Sequence, residues 1–378
     1  MQNTTRAVFM RGGTSKALIF HAGDLPPDRD ALFLAAMGSP DPSMRQLNGM
    51  GGGVSSLSKV CIVGPPSRPD ADVDYTFAQI GIDRPEVDYA GNCGNMSSAI
   101  GPFAVDEGLV PPPPDGEAVV RIHNTNTARI IVARFPVRAG RAVVEGALAI
   151  DGVAGTGAPI RLDFTDPGGA KTGRLLPTGN SADLLEIPGH PPVRASLVDA
   201  ANPCVFAAAA DLGLRGDELP AALDANPALL ATLEALRQAA AVRMGLAPSL
   251  EAAARTTSIP KVGLLSSPQD SPLLSGRTLP AGEMDILARM ISVGQPHRAI
   301  PLTGALCLAV ACRIPGSVAH ALARPSDPAA LLRIAHPSGT ILVAAQVHPD
   351  LTVPHATVFR TARRLFQGEV LWPSPPIG

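Results

Sequence analysis

Apolar positions in the first 80 residues fall into short runs separated by glycine-rich turns. The segment RAVFMRGGTSKALIF at 6–20 reads as a strand, a Gly12-Gly13 turn and a second strand beginning near Ser15. A short helix is predicted over 28–37. Residues 45–63 run through Asn48-Gly49-Met50-Gly51-Gly52-Gly53 into SSLSKVCIVG, where 60–63 form an apolar β run and Lys59 stands at its entrance. Further strands are predicted at 73–80, 118–124, 128–135 and 142–149, with a helix at about 94–107 opened by the turn Gly91-Asn92-Cys93-Gly94-Asn95. Strands followed by a helix at hairpin-length spacing predict an α+β fold with a mainly antiparallel or mixed sheet.

From about 194 the pattern begins again. RASLVDAANPCVFAAAADLGL repeats the opening strand, turn and strand, with Asn202-Pro203 where the first half has its glycine turn. Two helices are predicted at about 227–244 and 281–293. A small-residue helix at 299–311, AIPLTGALCLAVA, matches the one around 96–105. An internal duplication follows, with an N-terminal domain at 1–187 and a C-terminal domain at 188–378 whose last strand is free to return to the first.

Composition narrows the function. Hydrophobic residues are 46% and charged ones 17% of the 378, which excludes a disordered chain. The formal charge is −2 and the basic residues are scattered, so no nucleic-acid footprint is present. No apolar stretch reaches the roughly 18 residues of a membrane span, and the N-terminus carries no secretory pattern, so a cytoplasmic protein is expected. The cysteines Cys61, Cys93, Cys204, Cys307 and Cys312 form no CxxC and no Cys/His metal spacing, and their odd number argues against a disulfide scaffold.

The common motifs fail. GGAKT at 168–172 has Ala170 where a P-loop needs glycine before lysine, and neither GxGxxG, HExxH nor GxSxG occurs. What stands out is three turns of Gly, Ser, Thr and Asn: Arg11 to Lys16, Gly49 to Lys59 and Gly91 to Ser98. A tight turn alone would account for any one of them. Together, each with an ionisable or nucleophilic residue, they suit an anion-binding role in which backbone N–H groups face carboxylate or phosphate oxygens. Cys93 lies at the predicted start of a helix, where the positive end of the dipole favours a thiolate. Lys59 is placed either to act as a base or to hold a substrate carboxylate. Arg11 and Lys16 flank the first turn as carboxylate clamps, and His297 with Arg298 precede the second small-residue helix.

These segments resemble the PrpF family of 2-methylaconitate and related Δ-isomerases, which adopt the diaminopimelate epimerase fold. The resemblance rests on MRGGTSK at 10–16, MGSPDP at 37–42, NGMGGG and SSLSK within 48–59, DVDYTFAQI at 72–80, GNCGNMSSAIGPFAVDEGLV at 91–110, NTNT at 124–127, DGVAGTGAPI at 151–160, DAANP at 199–203, PK at 260–261 and HRAIPLTGALCLAVA at 297–311. It implies two pseudo-symmetric domains, each a central helix wrapped by a curved sheet. It also implies proton transfer across the allylic system of an unsaturated di- or tricarboxylate such as 2-methylaconitate, oxalomesaconate or methylitaconate. No cofactor and no metal are implied. The acid/base pair carries over to Lys59 and Cys93. The substrate-binding positions assigned beside that pair are Arg11, Ser15, Asn48, Gly52, Asn92, Gly94, Asn95 and Ser97 in the first half, and Asn202, His297, Thr303 and Gly304 in the second. Epimerase relatives have a second cysteine where this chain has Thr303, which favours an isomerase. A racemase or epimerase of a small amino or hydroxy acid, with Cys204 as its second thiol, stays open, as does a non-catalytic carboxylate-binding protein. The expected partner is the small polycarboxylate, with no nucleic acid and no membrane, and a homodimer is left open.

Overall fold

A computed structural model describes residues 2–89, 92–292, 294–327 and 330–373. Gly91, expected to open the turn before the first central helix, lies outside the described residues. The chain packs as two units, one comprising residues up to Asp163 together with those from Phe359 onward, the other Phe164–Val358. The sequence reading divided the chain at 187/188 instead.

The first unit opens with the hairpin β1 (Gln2–Gly12) and β2 (Ser15–His21), then α1 (Arg29–Met37), β3 (Lys59–Gly64), β4 (Val73–Ile80) and β5 (Val87–Asp88). The central helix α2 (Gly94–Asp106) follows, then β6 (Gly116–Asn124), β7 (Arg129–Arg138), the short β8 (Arg141–Ala142) and β9 (Ile160–Thr165), in which the chain passes into the second unit. That unit holds β10 (Asp183–Ile187), β11 (His190–Ala200), β12 (Asn202–Ala208), α3 (Pro220–Asp224), α4 (Pro227–Arg243), α5 (Leu250–Arg255) and β13 (Lys261–Ser266). After the small pair β14 (Ser271–Pro272) and β15 (Thr278–Leu279) come β16 (Ile286–Ser292), β17 (Gln295–Pro296), α6 (Leu302–Ala311), α7 (Val318–Leu322), β18 (Leu332–His336) and β19 (Gly339–Ala345). In β20 (His355–Arg360) the chain returns, and β21 (Ala362–Pro373) pairs with β1 along its length.

The two units repeat one topology. In the first, β1 and β2 form a hairpin, β2 runs parallel to β3, β3 antiparallel to β4, and β4 parallel to β6. In the second, β11 and β12 form the hairpin, β12 runs parallel to β13, β13 antiparallel to β16, and β16 parallel to β18. Each half places its small-residue helix at the same point of this order. Helix α2 is buried on every side from Met96 to Val105 and touches β1, β2, β3, β6, β7, β8 and β21, while α6 touches β11, β12 and β19. A helix apolar all round can be stable in water only inside such a wrapping. Helix α1 packs Leu32, Phe33, Ala36 and Met37 on the other face of the first sheet, against Leu18, Phe20, Val60 and Ile62. Leu229, Leu233, Leu236 and Ala240 of α4 do the same in the second unit, against Leu197, Val205 and Val262. Among the described residues no helix is long and apolar enough to cross a membrane.

Three local expectations need correction. The helix expected at 281–293 is a short turn followed by strand β16, in which every residue from Ile286 to Ile291 is buried. A run buried on both faces has no period-two alternation, so pattern alone cannot separate it from a helix. The strand expected at 142–149 shrinks to β8 and an isolated bridge between Leu148 and Gly157, because the segment is mostly exposed and has no face to bury. The second hairpin turns one residue earlier than expected, at Ala201 with φ 59°, and Asn202 and Pro203 already belong to β12.

The packing of α2 on β7 gives a test. A Cβ on Gly101 would lie 2.7 Å from Phe135 Cε1 and 3.0 Å from the Ala133 Cβ. Gly101→Val is expected to destabilise the protein by about 1–3 kcal/mol through overpacking. The check is thermal unfolding, in which the midpoint should fall by several degrees; an unchanged midpoint would mean that β7 yields without cost.

Candidate active site

The glycine turn of the first hairpin lies directly on the N-terminus of α2. A Cβ on Gly12 would sit 2.7 Å from the Asn95 carbonyl oxygen, and one on Gly13, whose φ is +53°, would sit 2.3 Å from Asn95 Oδ1. Only glycine permits this approach. It lets Asn95 Nδ2 donate to Thr14 Oγ1 at 3.2 Å and sets the Ser15 hydroxyl 3.9 Å from Cys93 Sγ, within reach of a weak thiol hydrogen bond. Arg11 Nη1 donates to the Gly13 and Thr361 carbonyls at 3.0 and 2.8 Å, and Gly13 N–H donates to Thr361 O, so the turn is tied to the head of β21. Lys16 lies over the Phe9 ring.

Cys93 is the N-cap of α2 and makes no side-chain cap bond. Its carbonyl oxygen instead accepts from Ser97 N–H and Ser97 Oγ, so the Ser97 hydroxyl supports the helix start. Gly94 is buried in the first turn. Asn92 Oδ1 accepts from Asn124 Nδ2 at 3.2 Å, which gives the NTNT segment its place: Asn124 and Asn126 brace the strand before Cys93.

Lys59 is the first residue of β3 and only 8% exposed. Its Nζ donates to Gln79 Oε1 at 2.5 Å and lies 4.9 Å from the centre of the Phe77 ring. Gln79 is oriented by donating Nε2 to the carbonyls of Ser55 and Ser58, which leaves its acceptor oxygen for Lys59. Ser58 in turn bonds Gln46 Nε2 at 2.7 Å, and Gln46 Oε1 takes the Gly53 N–H, so the glycine loop is fastened to the residue before the lysine. Cys61, two residues after Lys59 on β3, is completely buried. Burial pushes its thiol up, Cys93 adds to that, and Lys59 opposes it. Strand pairing brings these groups to one end of the sheet: β2, which Ser15 opens beside Cys93, runs parallel to β3, which Lys59 opens.

Asn48 and Gly52 sit elsewhere on the same loop. Gly52 faces Leu57, and Asn48 is exposed on a cavity of about 470 Å³ lined also by Gln2, Ser39, Asp41 and Arg45, to which Lys59, Cys93 and Ser15 do not contribute.

The four second-half residues lie within the second unit. Asn202 is at the hairpin turn with Nδ2 on the Pro203 carbonyl, Thr303 is half-buried in the first turn of α6, and Gly304 is buried against Met290. His297 Nδ1 accepts the Ala299 N–H, and burial, aided by the charge of Lys261, holds the ring below its ordinary pKa. The GGAKT loop serves its own unit, with the Lys171 and Thr172 amides and the Thr172 hydroxyl all donating to buried Asp199.

Two residues escaped the sequence reading. Arg360 is nearly buried, donates Nε to Asn95 Oδ1 at 3.0 Å, and has no carboxylate within ion-pairing distance among the described residues; burial lowers it to about 10. Lys261 donates to Ser292 Oγ at 2.7 Å, and burial lowers it too. Arg360 carries no local signal, since what marks it is its contact with Asn95, 265 positions away. For Lys261 the signal was its place at the head of a strand in the repeat. Among the described residues no cluster of His, Cys, Asp and Glu is placed to hold a metal ion.

Gly13→Ala tests the turn. The left-handed φ costs an L-residue roughly 1–2 kcal/mol, and the new methyl displaces Asn95. The expected outcome is a drop in both thermal midpoint and activity, read by melting and turnover. His297 gives a pH test. A ring whose pKa is lowered in the folded state resists the proton that the unfolded ring accepts below about pH 6.5. Its contribution is thus present above that pH and lost on acidification. Denaturant midpoints at pH 7.5 and 5.5 should differ less for His297→Gln than for the wild type.

The profile of the PrpF protein family matches residues 2–373. The chain is 41% identical to "3-methylitaconate isomerase" of Eubacterium barkeri, the match covering 96% of each chain. It is 38% identical to "2-methyl-aconitate isomerase" of Shewanella oneidensis (98% of this chain, 97% of the relative) and 39% identical to "4-oxalomesaconate tautomerase" of Pseudomonas putida (98% and 96%). The crystal structure of a methylitaconate-delta-isomerase superposes with a TM-score of 0.91 at 40% identity, over 98% of this chain and 96% of the other. A probable proline racemase from Agrobacterium radiobacter, at 14% identity and a TM-score of 0.50 over 99% and 94%, shares the fold. Whole-length agreement in sequence and in structure leads to one conclusion: this chain belongs to the PrpF family.

Proposed function

We propose that this chain is an isomerase of unsaturated di- or tricarboxylates that shifts a proton across an allylic C=C without a cofactor, using Lys59 and Cys93 as its acid/base pair. The reading is supported by relatives named as methylitaconate, methylaconitate and oxalomesaconate isomerases or tautomerases. The observation that carries it is local: Lys59 opens β3, which runs parallel beside β2, and Ser15 at the head of β2 has its hydroxyl 3.9 Å from Sγ of Cys93, the N-cap of α2.

The step balances within the substrate. Lys59, as the free amine, removes a proton from a carbon next to the conjugated acid. The C–H electron pair becomes part of a dienolate, and the double bond moves. Cys93 then gives its proton to the carbon two positions away, and the two groups recover their starting states through solvent. The first amides of an α-helix have no partners inside the helix, and dienolate charge on a carboxylate oxygen is stabilised by donors so placed. Ser15 steadies the thiol, while Gln79 fixes the ammonium or amine of Lys59.

Proton NMR in D₂O with 2-methylaconitate, oxalomesaconate and methylitaconate tests this. One acid should take up deuterium at an allylic carbon as its isomer appears. Lys59→Met and Cys93→Ser should each slow turnover by about 10²-fold or more, the usual scale of lost acid/base catalysis. Full turnover by Lys59→Met on every active acid would sink the assignment.

A further inference from the structure

The hairpin that closes over α2 carries its cations on the side turned away from the helix. Gly12 is paired with Ser15 and Arg11 with Lys16, and neighbouring pairs along a hairpin face opposite sides of the sheet. The Gly12 side is the one against α2, since a Cβ there would meet the Asn95 carbonyl and the Ala99 Cβ. Ser15 shares that side and reaches Cys93. Arg11 and Lys16 stand on the other side, where Lys16 lies over Phe9 and Arg11 gives Nη1 to the Gly13 and Thr361 carbonyls. The two residues that the sequence marks as carboxylate clamps therefore bring no charge to the α2 side.

Arg360 brings one. It closes β20 after the chain has returned to the first unit, and it is only 9% exposed. Its stem runs against the glycine turn, where a Cβ on Gly13 would lie 3.1 Å from Arg360 Cδ. Nε donates to Oδ1 of Asn95, in the first turn of α2, at 3.0 Å, and Nη1 donates to the Phe359 carbonyl at 2.9 Å. Among the described residues Nη2 has no hydrogen-bond partner and no carboxylate stands within ion-pairing distance, yet Nη2 is not sealed from solvent. Burial lowers the guanidinium to about 10, so it keeps its charge at neutral pH. A buried charge with only neutral partners is costly to keep. The helix start beside it has unpaired amides of its own, and Cys93 at the N-cap offers them no side-chain bond. Guanidinium and helix amides in one place suit a carboxylate.

We propose that Arg360 binds one carboxylate of the polycarboxylate substrate at the N-terminus of α2, the role that the sequence gives to Arg11 and Lys16. Nη2 meets the carboxylate while the bond from Nε to Asn95 keeps the planar head in one orientation. Arg360 holds charge and moves no proton. The assignment rests on the isomerase reading for the identity of the acid.

The test compares wild type with Arg360→Gln, Arg360→Met and Arg360→Lys, in the NMR assay and by calorimetric titration. The titrated acids are tricarballylate, a tricarboxylate with no double bond to shift, glutarate, which lacks its central carboxylate, and methylsuccinate, which lacks a terminal one. Loss of the charge in Arg360→Gln or Arg360→Met should raise KM and weaken tricarballylate about tenfold or more, with a much smaller change in kcat. The wild-type preference for tricarballylate over one of the two dicarboxylates should shrink to about twofold in the same variants, because residue and carboxylate are partners in one contact. Arg360→Lys should recover part of the affinity. Unchanged KM and tricarballylate affinity without the charge would overturn the assignment. So would equal weakening of all three acids with both preferences intact, the mark of a purely structural arginine, and so would wild-type protein with no preference for the third carboxylate. If wild type binds tricarballylate through Arg360 but isomerises none of the unsaturated acids, the isomerase reading fails while the contact stands.

Discussion

The architecture depends on a backbone contact that has no room for a side chain: the Gly12-Gly13 turn pressed onto the first turn of α2. The helix is buried around its whole circumference, so it must be enclosed by strands, and its N-terminus is where the enclosing hairpin has to turn. Glycine at both turn positions lets the hairpin close at that end of the helix. Asn95, Thr14, Ser15 and Cys93 are then held by one short network instead of by separate loops.

Around that contact, polar groups are oriented by other polar groups that make no contact with reacting atoms themselves. Gln79 is fixed by two carbonyls before it meets Lys59, Gln46 fastens the glycine loop to Ser58, and Asn124 braces Asn92. Buried side chains tied in this way keep one geometry, which is what a proton transfer between fixed positions requires. Arg360 belongs to the same group. Its charge is buried with an amide oxygen in place of an acid, so the region is electropositive before any anion arrives.

Much of this was legible in the sequence, and the parts that were not share a cause. Turn glycines, the strand ending at Gly64, the helix behind Cys93 and the position of Lys59 are local signals, set by residues a few positions apart. The strand Ile286–Ser292 was read as a helix because burial on both faces erases the alternation that marks a strand. Arg360 was passed over because its meaning lies in a partner far along the chain. Asn48 was grouped with the other turn residues by composition, yet the loop turns it outward to a different cavity. GGAKT looked like a failed nucleotide loop, whereas its amides serve Asp199, a pairing that no spacing reveals.

The chain's path between its two units also governs the order in which a newly made protein can become complete. The second unit is one unbroken stretch, so it can fold before the strand that follows it is made. The first unit cannot, because β1 has its partner β21 beyond the second unit in sequence and must wait as an open edge until that strand is made. Thr361, whose carbonyl secures Gly13 and Arg11, arrives with that last strand. Chains that stop before Thr361 therefore contain every residue around Lys59 and Cys93 but lack the clamp that sets the glycine turn.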